Sequence, residues 1–70
     1  MQVLINQKPI HCTSDDSLEL VLSIYCQALD LDINEIAVAQ ADSLIPRSTW
    51  PEYRLSAQAS FSVFTAVAGG

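Results

Sequence analysis

The sequence predicts an α+β fold, a mixed β-sheet with one helix packed on one face. Three observations carry this. The chain opens on "MQVLI" and nears its end on "SFSVFTAVA", runs rich in strand-forming residues and alternating between two faces. Between them a single segment, "SLELVLSIYCQAL", repeats its apolar residues at helical spacing. The remainder is short apolar pieces with Pro46 and Pro51, which forbid a long central strand there and leave brief strands and turns.

The elements follow in order. Met1, Val3 and Ile5 give the first strand one apolar face. Asn6 and Pro9 are turn formers in "NQKP", so "IHC" is the return arm of a hairpin. In "TSDDS", Asp16 or Ser17 caps the helix, with Glu19 placed as in a capping box with Asp16. Leu18, Val21, Leu22, Tyr25 and Leu29 form the buried stripe, while Leu20 and Ile24 lie off it. Asp30 and Asp32 oppose the dipole at a helix C-terminus, which ends the helix near Leu29. "DLDINE" is a connection with a helical turn capped by Asp32. "IAVAQ" is the third strand, "SLI" a short fourth, and "PRSTWPEY" a turn or 3₁₀ piece that lays Trp50 on the core. In the last strand Phe61 and Val63 face the helix, and Ser62, Phe64 and Ala66 face away. Residues 1–65 thus read as one domain and residues 66–70 as an extended tail.

Size and charge narrow the function. Seventy residues make one small domain with little room for a buried catalytic apparatus, so a binding or carrier role fits better than an independent enzyme. Half of the residues are hydrophobic, enough to fold. A net charge of −5 with only Lys8, Arg47 and Arg54 basic argues against nucleic acid. It suits docking on basic or mixed partner surfaces. The acids Asp15, Asp16, Glu19, Asp30, Asp32 and Glu35 read as solvated, and Arg47 and Arg54 as surface residues. No apolar run reaches the roughly 18 residues of a membrane span, and no leader pattern opens the chain. The expectation is therefore no membrane association and a cytoplasmic location, with the protein monomeric on its own. Cys12 and Cys26 are then reduced structural thiols, not spaced for zinc, and His11 is a strand-surface residue. No metal is expected.

The most informative feature is the end, "VFTAVAGG". The chain has two glycines, Gly69 and Gly70, and none in its turns. Glycine reaches backbone angles other residues avoid and gives a slim profile. Extended, residues 66–70 reach about 16 Å, enough to carry a carboxylate into a narrow site while the body stays outside. Ala66 and Ala68 keep the tail thin and Val67 offers one apolar anchor. Phe64, pointing away from the helix beside this tail, is a candidate partner contact together with Ser62.

The order of these motifs resembles the β-grasp, ubiquitin-like ThiS family, the sulfur carriers of thiamine thiazole biosynthesis. "MQVLIN" is similar to that family's opening strand, "SLELVL" to its helix start, "IPRSTW" to its V-P-R-x-x-W segment and "VAGG" to its terminal tail. The resemblance spans the whole chain. Departures fall in two turns. Gln40 stands where the family usually has Asn, with "ADS" making a turn about one residue longer, and Gln58-Ala59 replaces a usual Gly-Asp.

The resemblance implies a chemistry. The Gly70 carboxylate would attack the α-phosphate of ATP on a ThiF-like adenylating enzyme, giving an acyl-adenylate. A persulfide donor would displace AMP, and cleavage of the acyl disulfide would leave a thiocarboxylate. A ThiG-like thiazole synthase would take its sulfur. The carrier would bind no cofactor itself; ATP belongs to the partner. Two alternatives stand: a MoaD-like small subunit of molybdopterin synthase, with the same fold and tail chemistry, and a ubiquitin-like binding module with an inert tail.

Overall fold

A computed structural model describes residues 1–65. The elements are β1 (Gln2–Ile5), β2 (Lys8–His11), α1 (Leu18–Leu29), a 3₁₀ turn (Ile33–Glu35), β3 (Ile36–Gln40), β4 (Ser43–Leu44), a second 3₁₀ segment (Arg47–Glu52) and β5 (Ser60–Thr65). The five strands form one sheet in the order β2-β1-β5-β3-β4. β1 and β5 run parallel, and the other neighbouring pairs are antiparallel. With one helix packed on one face, this is the β-grasp-like α+β arrangement expected from the sequence.

The core joins both layers. Val3, Ile5, Ile36, Val38, Phe61 and Val63 from the sheet pack with Leu18, Val21, Leu22, Tyr25 and Cys26 of α1, and Trp50 and Leu55 close one side. The helix stripe holds except at its end. Leu29 is 41% exposed, and Cys26 is buried instead. The chain reverses at Asp30, which takes a left-handed conformation (φ 57°) and donates its N–H back to the carbonyls of Cys26 and Gln27. That reversal brings Leu31 and Ile33 against the core, so Leu29 is not needed there. Met1 is likewise more exposed than its alternation with Val3 and Ile5 suggests.

Ser17 is the helix cap, its Oγ accepting from Leu20 N at 3.1 Å. Asp16 acts one step earlier: its carboxylate accepts from Thr13 N at 2.8 Å, so the expected box between Asp16 and Glu19 does not form. Asp32 caps the first 3₁₀ turn as expected, accepting from Asn34 N at 2.9 Å.

Two turns differ from their sequence readings, and a third carries left-handed backbone. The first hairpin turns on Asn6 and Gln7 alone, both at positive φ (50° and 71°), the pattern of a tight type I′ turn. Pro9 belongs to β2, opposite Leu4, on an edge strand where its missing N–H breaks no ladder. The second hairpin is also tight. Gln40 pairs with Ser43 across Ala41 and Asp42, so the turn is not lengthened, and Ala41 absorbs the reversal at φ 55°. Before β5, Gln58 stands at φ 67°.

Arg47 is exposed yet structural. Its guanidinium lies 4.4 Å from the Trp50 ring centroid and donates to the carbonyls of Ile33 and Ile36, each at 2.8 Å. It ties the second 3₁₀ segment to the start of β3, while Trp50 Nε1 donates to Ile45 O at 3.1 Å. A planar fork that both stacks and donates twice is specific to arginine.

Non-glycine residues at positive φ carry a steric cost that glycine relieves, partly offset by glycine's greater freedom in the unfolded chain. Ala41→Gly and Gln58→Gly should each raise stability by about 0.5–1 kcal/mol. Thermal melts of the two variants, compared with the parent, check this; an unchanged or lowered midpoint would mean these backbones are unstrained.

Candidate functional site

The sheet face opposite α1 is built by strand alternation. Pairing across β5 sets Phe64 beside Ala37 and Ser62 beside Ala39; Leu44 lies beyond Ala39, and Leu4 pairs with Ser60. Phe64 is 48% exposed and Leu44 67%, above partly buried Ala37 and Ala39. The result is a low surface of small residues with two projecting apolar side chains. The outward strand residues Gln2, Leu4, Pro9, His11, Ala37, Ala39, Leu44, Ser60, Ser62 and Phe64 include no Asp, Glu, Lys or Arg. All eight acids of the chain lie in the helix, its flanking segments and the loops. An uncharged, partly apolar face on an acidic molecule is a candidate protein-docking surface.

Phe64 and Ser62 thus stand where the sequence placed them, on the face away from the helix. Ala66, Val67, Ala68, Gly69 and Gly70 lie outside the described residues. The chain enters them directly from Thr65, the last residue of β5, which is paired with Ile36. Phe64 of this uncharged face and Thr65, the last described residue before 66–70, are therefore on one strand.

Sequence reasoning missed Asn6 as more than a turn former. Its side-chain Oδ1 accepts from Val63 N at 2.9 Å, and its Nδ2 donates to Val63 O and to the Tyr25 hydroxyl, both at 3.0 Å. One amide joins the first hairpin, the helix and the last strand, one residue before Phe64. The available signal was Asn at the end of a strand, a side chain able both to tolerate positive φ and to imitate a peptide group. Gln40, noted in sequence only as a departure, accepts a hydrogen bond from the Tyr53 hydroxyl. Tyr53 in turn packs edge-on against Phe61 at 6.0 Å.

The cysteines are free and buried. Burial pushes the Cys26 thiol up; the Asp32 carboxylate acts in the same direction and Arg47 opposes them. Cys26 is thus held as a neutral thiol, the opposite of an activated nucleophile. His11 is exposed on β2. Among the described residues no group of three or more His, Cys, Asp or Glu is placed to hold a metal, and no helix is long and apolar enough to cross a membrane. A polar surface groove of about 410 Å³ lies between Ser14–Ser17 and Pro51–Arg54, and no residue of β5 lines it. The chain matches no family model and no curated protein.

Two outcomes follow from this geometry. Phe64→Ala should leave stability within about 1 kcal/mol of the parent, whereas Phe61→Ala, its buried neighbour, should cost about 3–5 kcal/mol. Urea unfolding of the two variants measures both, and a large loss for Phe64→Ala would place that ring in the core.

The second concerns pH. A thiol whose native pKa lies above its unfolded value stabilises the fold below the unfolded pKa of about 8.5, and that contribution is lost as pH rises through the native value. Unfolding free energy should therefore fall above about pH 8.5. The fall should be shallower in Cys26→Ala, as denaturation from neutral to alkaline pH would record.

Proposed function

We propose that this chain is a sulfur carrier whose Gly70 carboxylate is adenylated and converted to a thiocarboxylate, which donates sulfur for thiazole formation in thiamine biosynthesis. The observation that carries the proposal is the confinement of glycine to Gly69-Gly70, separated by Ala66, Val67 and Ala68 from a strand that bears an outward Phe64. The β-grasp-like body and the whole-chain resemblance to the ThiS family support it.

The chemistry asks little of the folded domain. The carboxylate is ionised at neutral pH and a poor acceptor for a sulfur nucleophile. Attack on the α-phosphate of ATP, in the adenylating enzyme, forms a mixed anhydride and releases pyrophosphate. The terminal sulfur of a donor persulfide then attacks the acyl carbon and AMP leaves, giving an acyl disulfide. Attack of a second thiol on the donor sulfur of that disulfide forms a new disulfide and frees the carrier as a thiocarboxylate. ATP, persulfide and thiol all come from partners. The carrier supplies reach, a slim end and a recognisable body. Phe64, Leu44 and Ser62 form the surface by which an adenylating enzyme, and then thiazole synthase, holds it.

The test is the intact mass of the protein from its native cell. A species heavier by the difference between sulfur and oxygen, localised to Gly70 by fragmentation, is the expected result. Only unmodified carboxylate in cells making thiamine would sink the proposal. Copurification with thiazole synthase, in preference to a molybdopterin synthase large subunit, assigns the pathway. Gly70→Ala should leave the fold intact and reduce ATP–pyrophosphate exchange at least tenfold, by roughly the loss expected when a reacting group is misplaced.

A further inference from the structure

We propose that Asn6 is the positioning residue of the tail, holding the end of β5 in the place of a strand residue that β1 lacks. This rests on the carrier reading above for its consequence, though not for its geometry.

β1 ends at Ile5, while β5 continues to Thr65. Up to that point the parallel ladder is regular: Leu4 N donates to Ala59 O at 2.8 Å and Asn6 N donates to Phe61 O at 2.9 Å. The next residue of β5 facing this side is Val63. The backbone has by then turned away into the hairpin, Asn6 itself lying at φ 50°. The Asn6 side chain continues where the backbone leaves. Oδ1 accepts from Val63 N at 2.9 Å and Nδ2 donates to Val63 O at 3.0 Å, so both polar groups of Val63 are paired as a neighbouring strand would pair them. Nδ2 also donates to Tyr25 Oη at 3.0 Å, which fixes the amide against α1. Only asparagine offers a donor, an acceptor and tolerance of this backbone in so short a side chain.

Beyond Val63 come Phe64, Thr65 and residues 66–70. On its β3 side this end of β5 is held by pairing with Ile36, Ala37 and Val38. On its β1 side Asn6 is the anchor. The amide therefore sets the strand end that presents Phe64 and launches the tail, before any partner is met. Its loss would free this end, and a partner would have to order it on binding. The consequence is weaker recognition of the carrier with unchanged chemistry once it is bound.

Asn6→Gly removes the amide and keeps a residue suited to the turn. Asn6→Asp keeps the acceptor and loses the donor. Both are compared with the parent under conditions where all three are fully folded. In Asn6→Gly, hydrogen-exchange protection of the Val63 amide should fall about tenfold more than that of Phe61 or Val38, as loss of one local hydrogen bond implies. Asn6→Asp should retain more of it. Equal loss at all three amides would reduce Asn6 to a contributor to global stability and overturn the proposal. In ATP–pyrophosphate exchange with the adenylating enzyme, Asn6→Gly should raise KM for the carrier about tenfold while kcat stays within about twofold. An unchanged KM, or a fall confined to kcat, would overturn the positioning role. If the parent protein supports no exchange, the carrier reading falls instead, and the Val63 protection pattern alone upholds or overturns the anchor.

Discussion

The architecture depends on its last strand lying in the middle. In the order β2-β1-β5-β3-β4, the strand made last from the sequence separates the first two from the other two. Neither hairpin has a second neighbour without it, and an isolated two-stranded hairpin is at best marginal in water. β5 therefore joins two weak pieces into one sheet, and its Phe61 and Val63 complete the core beneath α1. The same strand carries Phe64 on its other face. Under the carrier proposal, the end offered to partners is rooted in the most connected element, since Thr65, its last described residue, is paired within the sheet.

That central place forces the ends of β5 to be settled by different means. At its start, Gln58 N donates to Gln2 O at 2.8 Å, and a left-handed backbone at Gln58 makes the entry. At its far end β1 has run out, and a side-chain amide substitutes for main chain. The two hairpins and the helix end are likewise turned by Asn6, Gln7, Ala41 and Asp30 without glycine. Where Asn and Asp occupy such positions their short polar side chains lower the cost. Gln7, Ala41 and Gln58 have no such help, so strain sits in three turns, outside the outward residues of β5.

Much of this was legible in the sequence, and the parts that were not share a cause. Strand alternation placed Phe61 and Val63 inside and Phe64 outside, because one sheet face is buried and period two then leaves no choice. The helix stripe was legible for the same reason, and it failed at Leu29 because the chain's return at Asp30 is a tertiary event. Pro9 was read as a turn residue from its type, although an edge strand accommodates it. Arg47 and Asn6 were underestimated because their partners are backbone carbonyls and amides of distant segments, Ile33, Ile36 and Val63, which leave no mark on local pattern. Of the candidate site, Phe64 and Ser62 were placed correctly, while Gly70 and its neighbours rest on sequence alone.

The distribution of charge gives the body a direction. Its acids cluster around the helix and loops, and the outward strand residues carry none. A partner approaching the acidic side meets strongly hydrated carboxylates whose desolvation is costly. A partner approaching the sheet displaces water from Ala37, Ala39, Leu44 and Phe64, where release is favourable. Electrostatics can thus draw in a basic partner at long range while the final contact forms on the neutral face. Because Phe64 and Thr65 are adjacent on β5, a partner seated on that face also holds the strand from which the tail departs. On the carrier proposal, recognition of the body and delivery of the end would be coupled by this single strand, and no group of the folded domain would need to take part in the chemistry.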